Sequence, residues 1–201
     1  MKRKITALAV MAGCACAHAE SSNLRFLASI GLAGGGEEIT RGDIVVQGTT
    51  TAHHFQINAG DGMQFRLGAD YRLLGRLAIQ ASVAYSSNAP MGTNGSLTFT
   101  TIPVEVLAFV DITESIRLGG GARRTQADIK ATGVAENWPE VGTYDSSGGG
   151  VAELQYLTRL SAQSTTQFGV SLRYVTEAFT HSRTGFRFNG DHYELAATLY
   201  F

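Results

Sequence analysis

"HYELAATLYF", residues His192–Phe201, alternates between two kinds of position. Tyr193, Leu195, Ala197, Leu199 and Phe201 occupy one parity; Glu194, Ala196, Thr198 and Tyr200 occupy the other. A period of two assigns a β-strand with unlike faces. Chain ends generally fray into polar tails, so a strand patterned to its last residue predicts a neighbour on each side and apolar surroundings for one face.

The same pattern recurs upstream in segments of about nine to eleven residues. "LRFLASIGL" aligns Leu24, Phe26, Ala28, Ile30 and Leu32. "MQFRLGADY" aligns Met63, Phe65, Leu67, Ala69 and Tyr71, with the pattern extending back through Phe55 and Ile57. "LAIQASVAY", "IPVEVLAFVDI", "IRLGGGARR", "LQYLTRL" and "FGVSLRY" follow. The connections alternate between short turns ("RLLGR", "TES", Ser161 to Thr166) and long polar loops (to about Ala52, Ser86 to Ser96, Gln126 to Gly150, Thr180 to Asp191). Eight strands joined this way predict an all-β fold, an eight-stranded antiparallel up-and-down transmembrane β-barrel with four mobile outer loops. The last strand pairs with the first and leaves no open edge.

The apolar parity of these segments carries no charged residue. The opposite parity carries six arginines and six carboxylates: Arg25, Arg66, Asp70, Glu105, Asp111, Arg117, Arg123, Glu153, Arg159, Arg173, Glu177 and Glu194. A soluble lipocalin-like barrel would turn the apolar face inward, whereas a membrane barrel turns it to lipid. Tyr71, Tyr85, Tyr174 and Phe201 near strand ends form an interfacial girdle and favour lipid outside. The charged set is then a lumenal salt-bridge core that fills an eight-stranded interior. Leu107 and Phe109 share the lumenal parity and predict a small apolar plug near the periplasmic end.

Composition agrees with this reading. Charged residues are 16% of the 201 residues, against roughly 25% in ordinary soluble domains. Lys2, Arg3 and Lys4 open the chain, an apolar run from Ile5 follows, and Ala17-His18-Ala19 precedes Glu20. These features predict a cleaved secretory signal over 1–19 and a barrel domain over 20–201. "VMAGC" offers the rival reading of a lipidated Cys14. Both cysteines, Cys14 and Cys16, fall in the signal, so disulfides are not expected in the barrel. Without the three leading bases the chain holds 13 basic against 17 acidic residues, which gives no reason to expect a nucleic-acid partner.

The closing aromatic of "LAATLYF" resembles that of the outer-membrane β-barrel superfamily, whose assembly machinery reads the last strand. The resemblance gives Phe201 the role of assembly signal. The whole barrel region resembles the eight-stranded OmpA/OmpX-type group, and "TIPVEVLAFVDITESIRLGGGAR" is similar to the fourth and fifth strands of its small members. This implies the outer membrane of a Gram-negative bacterium, contact with outer-membrane lipid and lipopolysaccharide, and a surface partner met through the outer loops. No cofactor or metal is expected. Fold alone leaves function open, and the expected role is structural or interactive rather than catalytic, with two alternatives.

The first alternative is lipid A deacylation by Ser182 with His181 as base and Glu194 as orienter. "THSRTGFRFNGDHYE" is similar to the late His-x-Ser motif of the outer-membrane deacylase. Here the pair is adjacent, which turns the two side chains to opposite faces of a strand. The second alternative is a small pore. Three further motifs read as loop features: Arg41-Gly42-Asp43 as turn chemistry or an adhesive tripeptide, "DSSGGG" (Asp145–Gly150) as a flexible loop, and His53-His54 as diverging rings. His181, Arg183, Arg187 and His192 give the last loop a positive edge suited to lipopolysaccharide phosphates.

Overall fold

In the computed structural model, residues 23–45, 52–89, 91–92, 95–133, 136, 138–161 and 163–201 are described. The signal region 1–19, Cys14 included, lies outside them. Eight long strands form the barrel: β1 (Leu24–Gly35), β2 (Gly62–Leu74), β3 (Leu77–Asn88), β4 (Gly95–Asp111), β5 (Ile116–Gly133), β6 (Gly149–Arg159), β7 (Gln167–Thr176) and β8 (His192–Tyr200). Each pairs antiparallel with its successor. β8 pairs with β1 from Leu27↔Tyr200 to Gly35↔His192 and closes the sheet. Phe201 continues the ladder: its N–H donates to Phe26 O at 3.0 Å, and Phe26 N–H donates to Phe201 O at 2.8 Å. The last strand is therefore paired on both sides up to its end.

The alternation sorts side chains as a barrel requires. Leu32, Phe65, Leu67, Val106, Leu118, Leu172 and Leu195 are among the exposed large apolar residues and form a continuous outer belt. Such a surface has no stable place in water and suits a bilayer core. Inside, Leu107 and Phe109 pack with Ala78, Val151 and Val175. Close approach here depends on Gly119, where an added Cβ would lie 2.4 Å from the Phe109 ring.

The described parts of the outer connections hold more regular structure than the expected polar loops. β5 runs to Gly133, well into the span assigned to loop, and β4 begins at Gly95, just inside the loop expected to end at Ser96. Gly142–Ser146 pairs with the upper part of β5 and with Ala178–His181, which in turn pairs with Arg187–Asn189. Phe55 and Ile57 belong to a separate hairpin, Glu38–Val45 with Ala52–Asn58, and not to β2. These strands raise the barrel wall above the apolar belt. They enclose an apolar cluster that includes Ile39, Ile57, Leu97, Phe99, Ile129, Tyr144, Phe179 and Phe188. The polarity of the wall is reversed there: on β5, Ala127 and Ile129 point in while Gln126 and Lys130 point out.

Candidate functional site: a sealed ionic lumen beneath a folded outer extension

Inward parity on tilted neighbouring strands brings residues far apart in sequence to one depth. Glu194 on β8 sits at the centre. Its Oε2 accepts from Arg66 Nη2 at 2.9 Å and from Arg173 Nη1, and its Oε1 accepts from Arg123 Nη1 at 2.9 Å and Gln64 Nε2 at 3.3 Å. Glu105 on β4 accepts from Arg173 Nη2 at 2.6 Å and Arg123 Nη1 at 3.1 Å. Arg66 Nε approaches Glu105 at 3.4 Å but lacks hydrogen-bond alignment. Glu153 takes Arg173 Nε at 3.0 Å, and Glu177 takes Arg123 Nη2 at 3.2 Å and the Thr125 hydroxyl at 2.6 Å.

A second layer lies toward the short turns. Asp70 accepts from Arg117 Nη1 at 2.9 Å and from Arg25. Arg117 also donates to Tyr200 Oη at 2.6 Å and to Gln80 Oε1 at 3.3 Å, with its guanidinium 4.1 Å from the Phe109 ring centre. Arg25, Arg66, Arg117, Arg123 and Arg173 thus face Asp70, Glu105, Glu153, Glu177 and Glu194: five charges of each sign. An unpaired ion here would cost several kcal/mol. Mutual pairing removes that cost and fills the lumen.

Two residues assigned to this core lie elsewhere. Arg159 is exposed at the turn end of β6, and Asp111 sits on the rim, pairing with Arg72 at 2.9 Å. Both keep lumenal parity, but their strands end there and the inner face opens to solvent. Gln64, Gln80, Gln155 and Tyr200 belong to the network although they were not singled out from sequence, and His192, expected on the positive edge of the last loop, is buried in it as well. Their signal was a polar or hydroxyl-bearing residue on the inward parity. The His192 ring nitrogens lie 2.6 Å from Gly190 O and 3.1 Å from Glu194 Oε1.

His181, Ser182 and Glu194 are not brought together as a catalytic set. Ser182 Oγ donates to Thr143 O at 2.9 Å and Asp145 at 3.2 Å on the exterior. His181 is buried, its Nδ1 accepting from Thr184 N at 3.0 Å and its ring edge-on to Tyr144 at 4.8 Å. Glu194 is committed to the lumen arginines. Arg41-Gly42-Asp43 lies in a strand and not a turn: Arg41 pairs with Glu38, and Asp43 lies 2.7 Å from His54 Nδ1. "DSSGGG" spans the end of the Gly142–Ser146 strand and the start of β6. Among the described residues no group of His, Cys, Asp and Glu has metal-binding geometry.

Tyr144 is a sensitive reporter of the outer cluster. Its hydroxyl donates to Glu140 O at 2.6 Å. Burial pushes the phenol up to about 12, and the nearby Glu140 charge acts in the same direction. In the unfolded chain it ionises near 10. Above that pH the unfolded state loses its proton first, so the stabilisation by Tyr144 is full below pH 10 and falls as pH rises toward 12. A ring-labelled Tyr144 followed by NMR is expected to titrate near pH 12; a midpoint at 10 would mean an open outer extension.

No family model and no curated protein matches the sequence. Solved structures do match. Neisserial surface protein A (NspA) superposes with a TM-score of 0.54 at 13% identity, over 89% of this chain and 96% of that one. Ail, the attachment invasion locus protein of Yersinia pestis, solved in complex with the heparin analogue sucrose octasulfate, gives 0.53 at 14% identity, over 89% and 99%. Together with the closed eight-strand barrel and its apolar belt, these matches give the chain the fold of the small eight-stranded outer-membrane β-barrels.

Proposed function

We propose that the protein is a non-conducting barrel of a Gram-negative outer membrane. It holds a folded outer extension at the cell surface for structural or binding contacts with lipopolysaccharide and surface partners. Phe201, paired at the β8–β1 seam, is positioned to serve as the signal read by the barrel assembly machinery. The observation that carries the reading is the filled lumen. Between the ionic layers and the apolar outer cluster the free space lined by Gln64, Arg123, Glu177 and His192 is about 10 Å³, the lower limit for one water. Conduction needs a continuous water column, and five paired arginines stand in its way.

Charge separates this chain from a polyanion receptor. Its outer extension carries Arg41, Arg124, Lys130, Arg183 and Arg187 against Glu37, Glu38, Asp43, Asp61, Asp128, Glu136, Glu140, Asp145 and Asp191. A polysulfated ligand like the one held by Ail would meet more carboxylates than cations. Contacts made by this surface therefore favour neutral, hydroxyl-rich partners. Planar-bilayer recordings of the purified barrel test the reading. We expect a flat baseline, and steady ion-selective steps would replace it with a pore.

A further inference from the structure

On the outward face of the extension, a groove of about 500 Å³ opens between the start of β6, the end of β7 and the Ala178–Asn189 hairpin. Glu37, Ser147, Thr176, Arg187, Asn189 and Asp191 supply its polar groups. Gly149 forms its floor, so close to β7 that a Cβ there would lie 2.0 Å from Thr176 O. The volume falls within the range of small-molecule sites.

Its height in the wall indicates what it meets. Thr176 stands two residues beyond Tyr174 on the lipid-facing parity, roughly 7 Å along the strand, and Asp191 stands two residues before Tyr193. The Tyr174 and Tyr193 rings pack together at 4.9 Å, both facing outward at the upper edge of the apolar belt. Paired aromatics of this kind sit at headgroup level. The groove is therefore placed where an outer-leaflet lipid presents its headgroup.

Its chemistry indicates which headgroup. Two accessible carboxylates, Glu37 and Asp191, line it against one guanidinium, which disfavours a bare phosphate. Both are held in place: Asp191 Oδ1 accepts from Glu177 N at 2.9 Å and Glu37 Oε2 from Asn189 N at 3.0 Å, while the Glu177 carboxylate turns into the lumen toward Arg123. Hydroxyls, an amide, carboxylates and the Arg187 guanidinium, which has no side-chain partner among the described residues, together offer donors and acceptors side by side. Sugar hydroxyls, which both donate and accept, match that mixture.

We propose that this groove seats the saccharide headgroup of an outer-leaflet glycolipid, with its acyl chains running down the belt past Tyr174 and Tyr193. The proposal rests on the extension facing the outer leaflet. Protease cleavage of the Glu38–Asn58 hairpin in intact cells reports that orientation separately, and a hairpin cut only after lysis would overturn both readings. With orientation established, the test is amide hydrogen exchange over 176–191 in nanodiscs of lipopolysaccharide and phospholipid, compared with phospholipid alone.

Exchange is expected to slow roughly tenfold with lipopolysaccharide, as a site about 90% occupied would give. The protection is expected to vanish in Arg187→Ala and Asn189→Ala and to persist in Arg124→Ala, whose outward side chain lies on β5 outside the groove. Equal exchange in the two bilayers would overturn the proposal. So would protection that survives both groove substitutions, or equal protection by the free core oligosaccharide added to phospholipid nanodiscs, which would assign the groove to a soluble glycan.

Discussion

Glu194→Ala is expected to lower the unfolding free energy by about 3–5 kcal/mol, the usual loss when one partner of a buried ion pair is removed. The reason is the number of donors that converge on one carboxylate. Arg173 would keep Glu105 and Glu153, and Arg123 would keep Glu105 and Glu177. Arg66 would keep only Gln64 and a misaligned approach to Glu105. The lumen would then hold five guanidinium groups against four carboxylates in a space with almost no room for water. Urea unfolding from phospholipid vesicles, followed by the gel-mobility difference between folded and unfolded barrel, measures the loss. Arg159→Ala is the matched control: it removes an arginine of the same parity from the exposed rim, and surface changes of that kind stay within about 0.5 kcal/mol. Equal effects from the two substitutions would mean that solvent, and not the ionic network, fills the lumen.

The difference between Arg159 and Arg173 also marks how far the sequence could be read. Parity assigns a face and says nothing about depth, so both arginines looked lumenal from "LQYLTRL" and "FGVSLRY". Nor could ion pairs be read from spacing: Arg66 and Glu194 are 128 residues apart and meet only because β1 lies between β2 and β8. The belt was legible because one requirement, no charge toward lipid, governs every strand. That requirement stops at the membrane surface. From Gln126 to Lys130 the alternation continues with its polarity inverted, so a search for outward apolar residues ends the strand near Arg124. The sequence of β5 still contained the signal, in Ala127 and Ile129 on the inward parity. The outer apolar cluster was hidden for the same reason, since Phe188 lies in a segment read as polar loop, and Leu97, Phe99 and Phe179 lie between the expected strands and loops. His181 and Ser182 looked like chemistry because adjacency in sequence carries no information about partners. Their hydrogen bonds are fixed by Thr184 and Thr143 instead.

Leu67→Arg is expected to cost about 2–4 kcal/mol in a bilayer, the penalty for a cation at mid-depth on a barrel's lipid face. Leu67 lies midway along the outward residues of β2, between Phe65 and Ala69, and is 59% exposed. Its partners across the sheet, Ala28 on β1 and Val83 on β3, offer no countercharge. The substitution leaves the lumen untouched, because successive side chains on a strand point to opposite faces and the inward neighbours Arg66 and Gly68 are unchanged. It therefore isolates the solvent on the outer face from everything else in the fold. In a barrel standing in water the same change would be nearly neutral and would raise solubility. Unfolding and insertion measured in phospholipid vesicles distinguish the two cases. The useful comparison is the native Arg124, an outward cation of the same type placed just above the belt on β5. Exchanging it for leucine is expected to change stability by less than 1 kcal/mol, since cations near the interface carry little penalty. A large loss at Leu67 and a small change at Arg124 together would fix the outer edge of the membrane between those two heights.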